Sequence, residues 1–280
     1  MTTADVVVDA TGFDLDAARR RCAQFRRRIL EISQTVPALH IGGAFSSTEI
    51  VDLCFHGLMR HDDTGESPDT FLMSKGHGCM IMYAVLEARG TLPREELERF
   101  CTSEGILGIH PDYGVPGVEA STGALGHGLS MSLGMAYANR SSGVDGNVYC
   151  VVSDGELQEG STWEAILMAA SLDVSNLVLF VDNNDFQSLG RTSITHPAFY
   201  PVGEKLSAFG WETVEIDGHD SAGMFAAVQN RKGDKPFAVV AKTIKGKGVS
   251  YMEDQAIWHY RAPNEEEYAQ ALRELAEVEK

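Results

Sequence analysis

Residues 153–185 read SDGELQEGSTWEAILMAASLDVSNLVLFVDNND, and the fold follows from where the polar tips fall in that stretch. One apolar run, Val148 to Ser153, ends at Asp154 and Gly155; a second, Leu177 to Asp182, ends at Asn183 and Asn184, with a helix-length segment between them. Short apolar runs bounded by turn residues read as buried strands, and the strand, helix, strand order makes them parallel. In a parallel sheet ligands collect beyond the carboxyl ends of the strands, so Asp154 and Asn184 are expected to face one crevice. A carboxylate and an amide oxygen there, with a backbone carbonyl, a water and two diphosphate oxygens, complete an octahedral shell for Mg²⁺. All of these donors are hard oxygens, which disfavours zinc. A polar turn after a strand is common in any α/β protein. The order of tip, helix, strand and second tip is what marks this one as a candidate metal and diphosphate site.

Working outward, the pattern stays α/β. Short β-rich runs at Val148 to Val152, Leu177 to Val181, Thr213 to Ile216 and Phe237 to Lys242 alternate with helical patterns at Thr162 to Ser171, Val202 to Phe209 and Asp220 to Asn230. That order predicts a parallel sheet with right-handed crossovers and helices on both faces. Upstream, Asp14 to Thr35 carries apolar residues at helical spacing, and its basic clusters Arg19 to Arg21 and Arg26 to Arg28 read as a solvated or subunit-facing side. Ser46 to Met59 reads as a helix opened by Ser46 with Glu49 three residues on, a capping box. His77 to Arg89 is a further helix, Pro93 stands at the first position of a short one, and Leu125 to Asn139 is a helix with small residues on one face. Between them, Gly105 to Gly123 is rich in Gly and Pro and too long for a mere connection, which favours a functional loop. No repeat or linker divides the chain. It is read as one domain, 1–280, with 1–45 a helical arm and 262–280 a C-terminal helix.

Lys and Arg number 23 against 40 Asp and Glu, a net charge of −17 that repels nucleic acid and anionic membrane. The 5 cysteines are scattered without a CxxC pair, so neither a disulfide framework nor a zinc site is indicated and a reducing cytoplasm fits best. The N-terminus, MTTADVVVDATGF, lacks a basic region before an apolar core, and no run reaches the roughly 20 apolar residues that span a bilayer.

The 153–185 string resembles the thiamine diphosphate binding motif, and its ELQEG form resembles transketolases in particular. HIGGAFSSTE (40–49), SKGHGCMIMYA (74–84), the HP of GIHPD (108–112), PGVEASTGALGHGLSMSLGMA (116–136) and KTIKGKGVSYMEDQAIWH (242–259) then match the N-terminal half of a transketolase in order. One departure is Ser153, where that family usually has Gly. The resemblance implies that Asp154 and Asn184 ligate the metal through side chains and Phe186 through its carbonyl, with Gly155 letting the chain pass close to the diphosphate. The metal would be Mg²⁺, with Ca²⁺ or Mn²⁺ as substitutes. It places Gly123 and Leu125 against the aminopyrimidine and thiazolium, and Glu159 near the cofactor and the subunit contact, with Glu164 at the interface. By the same resemblance His40 and His110 contact substrate hydroxyls, and His77 and His259 reach the diphosphate and the reaction centre. Imidazoles suit that proton traffic near neutral pH. His127 falls where the family often has Gln and reads as a helix cap, while His56, His61, His196 and His219 lie outside the matched strings.

The resemblance also defines what is missing. In transketolases the glutamate that activates the pyrimidine ring belongs to a domain following the region matched here, as do most sugar phosphate contacts. The expectation is therefore one component of a split enzyme, joined to a separate pyrimidine-binding half, the C-terminal transketolase subunit, in an α₂β₂ heterotetramer that works on sugars or sugar phosphates. Alternatives are a subunit related to deoxyxylulose phosphate synthase or a 2-oxo acid dehydrogenase, and a non-catalytic cofactor-binding module.

Overall fold

The two runs that frame the opening string form adjacent parallel strands, Val148–Ser153 (β2) and Leu177–Asn183 (β3), with Ser153 opposite Asp182. The computed structural model describes residues 13–36, 39–62 and 67–279. Residues 1–12, most of the stretch read above for a leader, lie outside them.

Before β2 come α1 (Leu15–Ser33), α2 (Ile41–Ser46), α3 (Thr48–Leu53), β1 (Thr70–Met73), α4 (Cys79–Ala88), α5 (Arg94–Glu98) and α6 (Gly128–Ser142). Helix α7 (Gly160–Ser171) joins β2 to β3. The short strands β4 (Phe186–Gln187) and β5 (Gly190–Arg191), α8 (Thr192–Thr195), α9 (Val202–Ala208), β6 (Glu212–Asp217), α10 (Ser221–Gln229), β7 (Phe237–Lys242) and α11 (Glu265–Val278) follow. The main sheet has the order β1-β2-β3-β7-β6, and every pairing in it is parallel.

Side-chain alternation along the strands builds two cores. Val148, Cys150 and Val152 of β2 pack with Leu179 and Val181 of β3 against α6, α7 and α9. Their neighbours Tyr149 and Val151 face the other way, with Phe180, into the larger core supplied by α1 to α4, α10 and α11. Both faces are thus covered, the arrangement that lets parallel strands be continuously apolar. Among the described residues no helix is long and apolar enough to cross a membrane.

Several expectations change. A fifth strand, β1, escaped the sequence because TFLM has only four residues and no alternation; it pairs with β2 from Thr70 opposite Val148 to Met73 opposite Val151. Ser46 does not open a helix. It closes α2, and its hydroxyl donates to Asp182 Oδ2 at 2.6 Å, while Glu49 is held by Arg26 instead of completing a capping box. The basic side of α1 is neither solvated nor subunit-facing at several positions: Arg21 pairs with Asp52, Arg26 with Glu49, Arg27 with Glu279 and Arg28 with Glu87. Helix α6 starts at Gly128, not Leu125, because Gly126 has φ +85° and its N–H is spent on Glu156 Oε1 at 3.0 Å. Pro93 precedes α5 in extended backbone, one position before the helix begins.

Candidate functional site

Strands β1, β2, β3 and β7 all deliver residues from their carboxyl ends to one edge of the sheet. Asp154 follows β2 and Asn184 follows β3, and the two tips touch: the Asp185 N–H donates to Asp154 Oδ2 at 2.6 Å. Asp154 Oδ1 accepts the Gly155 N–H at 2.9 Å, and its side chain is fully buried. Burial, with Asp182 nearby, raises its carboxyl to about 7, as befits a carboxylate shaped to meet a cation. Asn184 turns its amide oxygen to the Phe186 N–H at 3.0 Å and its amide nitrogen to Asp182 at 3.0 Å. A Cβ on Gly155 would stand 3.2 Å from Gln187 Cβ and 3.7 Å from the Phe186 carbonyl oxygen, so that carbonyl faces the Gly155 turn. Among the described residues no group of three His, Cys, Asp or Glu side chains could hold a metal. A set of one carboxylate, one amide and one backbone carbonyl contains only one such residue.

Beside these tips opens a cleft of about 820 Å³. Of the residues singled out in the sequence, His40, His77, His110, His259, Gly123, Leu125, Gly155, Glu159, Asn184 and Phe186 all line it. Asp154 does not; it lies behind the wall. Glu164 is exposed on α7, away from the lining. His127 precedes α6, but its ring turns back to the Ala124 carbonyl at 3.1 Å and makes no side-chain cap to the helix.

The histidines arrive from separate elements. His40 precedes α2, His77 sits in the turn Gly76–Gly78 after β1, His259 in the turn Ala256–His259, and His110 in the long loop between α5 and α6. The His40 ring lies 5.5 Å from that of His77, 4.9 Å from His259 and 6.4 Å from His110. Burial and then neighbouring positive charge lower His40 to about 4 and His259 to about 3; the same causes hold His77 well below its usual value. All three rings are therefore neutral at pH 7 and able to accept a proton. Gly123 has φ +130°, and a Cβ there would fall 2.6 Å from His110 Cδ2, so glycine is needed where the loop folds over that ring.

Two lysines went unassigned in the sequence although both fall within matched strings. Lys75, fully buried, is ion-paired with Asp182 and donates to the Gly43 carbonyl at 2.7 Å. Asp182 also accepts from Ser46, Thr243 and Asn184. Against its burial, Lys75 and these donors keep its carboxyl below the usual range. Lys245 enters the cleft itself, with Nζ 3.2 Å from the Ser188 carbonyl and 3.1 Å from His259 Nδ1; burial and Lys75 lower it to about 8. Glu156, equally unforeseen, is buried beneath the loop, where Oε1 accepts from Ser74 Oγ at 2.5 Å and from the Gly126 N–H. The available signal was position: Lys75 stands two residues past β1 and Lys245 three past β7, where a parallel sheet presents ligand-binding groups.

A cleft of neutral imidazoles and a buried lysine beside a hard-oxygen tip is suited to a diphosphate carrying a divalent cation. The family model "Transketolase, thiamine diphosphate binding domain" matches residues 19–277. The chain belongs to the transketolase family. It is 37% identical over 257 residues to one of the two named components of apulose-4-phosphate transketolase from Phocaeicola vulgatus, covering 90% of this chain and 91% of that one. A 6-deoxy-6-sulfo-D-fructose transketolase subunit from a Clostridium species is 34% identical over 242 residues, 84% of this chain and 88% of the other. The crystal structure of transketolase from Campylobacter jejuni superposes with a TM-score of 0.87 at 26% identity, covering 94% of this chain but 43% of that one. The chain thus spans about two fifths of such a single-chain transketolase.

The residues present fit the family's groups. Asp154, buried and raised in pKa, the space kept by Gly155 and the inward Phe186 carbonyl suit a divalent cation. Lys245, His77 and His259 offer N–H donors and positive charge on the opposite wall for a diphosphate.

Proposed function

We propose that this chain is the cofactor- and metal-holding half of a two-component transketolase, moving a two-carbon ketol unit from a ketose or its phosphate to an aldose. In this reading Asp154, Asn184 and the Phe186 carbonyl hold Mg²⁺, which Ca²⁺ or Mn²⁺ could replace, and Gly155 leaves room for the diphosphate. His77, His259 and Lys245 donate to the diphosphate oxygens. Gly123 and Leu125 pack against the aminopyrimidine and thiazolium, and Glu159, at the start of α7, reaches toward the cofactor and the second polypeptide, with Glu164 at the interface beyond it. Bound thiamine diphosphate supplies the carbon nucleophile and electron sink that let a ketose carbon–carbon bond break. The chain's own contribution is proton handling and orientation: His40 and His110 hold sugar hydroxyls, and neutral imidazole accepts the hydroxyl proton as the bond cleaves.

The observation that carries this reading is the gathering of neutral His40, His77 and His259 with Lys245 at the mouth of a hard-oxygen site. The chain covers 91% of a relative that is itself named as one transketolase component, against 43% of a single-chain transketolase, which supports a separate pyrimidine-binding partner in an α₂β₂ heterotetramer. Free thiols at all the cysteines support a reducing, cytoplasmic setting.

The test measures thiamine diphosphate binding by calorimetry with and without Mg²⁺, and ketol transfer with and without the partner polypeptide, offering ketose phosphate or pyruvate as donor. Asp154→Asn, which preserves the shape of the tip, is expected to abolish Mg²⁺-dependent binding while the far-UV spectrum is unchanged. Ketol transfer by this chain alone, or undiminished binding in the variant, would sink the proposal.

A further inference from the structure

His219 falls outside every matched string, stands on the loop after β6 and does not line the cleft, yet it connects to the cleft through defined contacts. The Ile244 N–H donates to its Nε2 at 2.9 Å. A backbone N–H can only donate, so Nε2 is an acceptor and the ring proton of the neutral imidazole sits on Nδ1. Nδ1 is 2.9 Å from Glu49 Oε2, and Glu49 is gripped by Arg26 at 2.7 and 2.8 Å. Arg26 in turn donates to the Phe45 carbonyl at 2.8 Å on α2. The line therefore runs from α1 through α3 to the backbone immediately before Lys245.

Ile244 is where the chain leaves the sheet. The final β7 pair is Asn183 with Lys242, and Thr243 still donates to the Asn183 carbonyl at 3.2 Å. Beyond it Lys245 must turn toward Ser188 and His259, over Gly42, whose added Cβ would lie 3.0 Å from Lys245 Cγ. Among the described residues the Ile244 amide is tied to His219 alone. We infer that His219 is a positioning residue for Lys245: by fixing the Ile244 amide against the Arg26–Glu49 pair, it holds the 243–245 turn in the conformation that aims Lys245 into the cleft. The inference rests on the cofactor reading above for what Lys245 meets, and not for the relay itself. Cofactor affinity falls in proportion to the population of a binding-competent turn, so loosening that turn weakens binding without touching any group in the cleft.

The test compares His219→Phe, which keeps the ring volume but has no acceptor, with His219→Gln, whose side chain can still accept from Ile244 and donate to Glu49. In the full chain, residue-resolved amide exchange at Ile244 is expected to be faster in the Phe variant. Its Kd for thiamine diphosphate with Mg²⁺ is expected to rise about tenfold, the scale of one lost buried hydrogen bond, and the Gln variant recovers most of both. If His219→Phe does not fold, His219→Ala against His219→Gln gives the same contrast. A variant that lowers the melting temperature but keeps Ile244 protection and cofactor Kd overturns the inference. If the wild-type chain itself fails to bind thiamine diphosphate, the cofactor reading has failed, and unchanged Ile244 exchange between variants remains the result that overturns the relay.

Discussion

Lys75 and Asp182 make the sharpest test of how the site is built. They lie 107 residues apart in sequence, both side chains are fully buried, and the pair joins the end of β1 to the end of β3 directly beneath the metal tips. Lys75→Met keeps the stem and deletes the charge. The hydrogen bond to the Gly43 carbonyl matters less, because that oxygen also accepts from Ser46 Oγ at 3.1 Å and Ser47 Oγ at 3.0 Å. Asp182, by contrast, keeps its hydroxyl and amide donors but is left without an ion-pair partner among the described residues. Leaving a buried charge uncompensated costs about 3–5 kcal/mol, a large part of the roughly 5–15 kcal/mol that holds a domain folded. Asp182→Asn in the same background removes the stranded charge, and the hydroxyls of Ser46 and Thr243 can rotate to accept as well as donate. The double variant is expected to be more stable than Lys75→Met alone, with a coupling of about 2–3 kcal/mol between the positions. Urea unfolding followed by tryptophan fluorescence, on wild type, both single variants and the double variant, closes the cycle. A coupling below about 0.5 kcal/mol would refute the reasoning, because it would mean the two charges act independently.

Two further changes separate local geometry from electrostatics. Gly123→Ala puts a methyl 2.6 Å from His110 Cδ2 at φ +130°, so thiamine diphosphate titration should show at least about tenfold weaker binding as the loop is driven off the ring; unchanged affinity would contradict the packing. Glu49 is drawn from an ordinary 4.5 to about 2, because Arg26 and the His219 hydrogen bond outweigh the burial that would raise it. Its folded value lies below its unfolded one, so it adds about 3 kcal/mol above pH ~4.5 that is lost as pH falls through ~2. Arg26→Met should therefore be destabilised at pH 7, with the gap to wild type narrowing toward pH ~2.5; denaturant curves giving a pH-independent gap would exclude this linkage.

The residues that the sequence placed best are those whose role is local. Asp154 and Asn184 are legible because a strand end and a polar tip are adjacent in the chain, and the parallel order of β2 and β3 then forces them together. Glycines in the long loop are legible for the same reason: a φ beyond the reach of other residues is a property of one position. What the sequence hid are the pairings across the fold. Ser46 fits a capping pattern by spacing, but a buried carboxylate on β3 competes for its hydroxyl, and a hydrogen bond to an ionised group is worth more than a helix cap. The arginines of α1 look like a solvated face until the positions of Asp52, Glu49 and Glu87 are known, since helical period says which residues share a side and nothing about what meets it. β1 was lost for want of length, and with it the reason for Lys75: a lysine two residues past an unseen strand has no visible address. The site thus combines two kinds of information. Ligand-facing atoms are set by strand ends and turns, which spacing reveals. Their charge state depends on Lys75, Asp182, Arg26 and Glu49, partners that only the folded chain brings together. His40 and His259 are neutral proton acceptors because of burial and of the lysines beside them, so a motif that names the histidines cannot by itself say what they do.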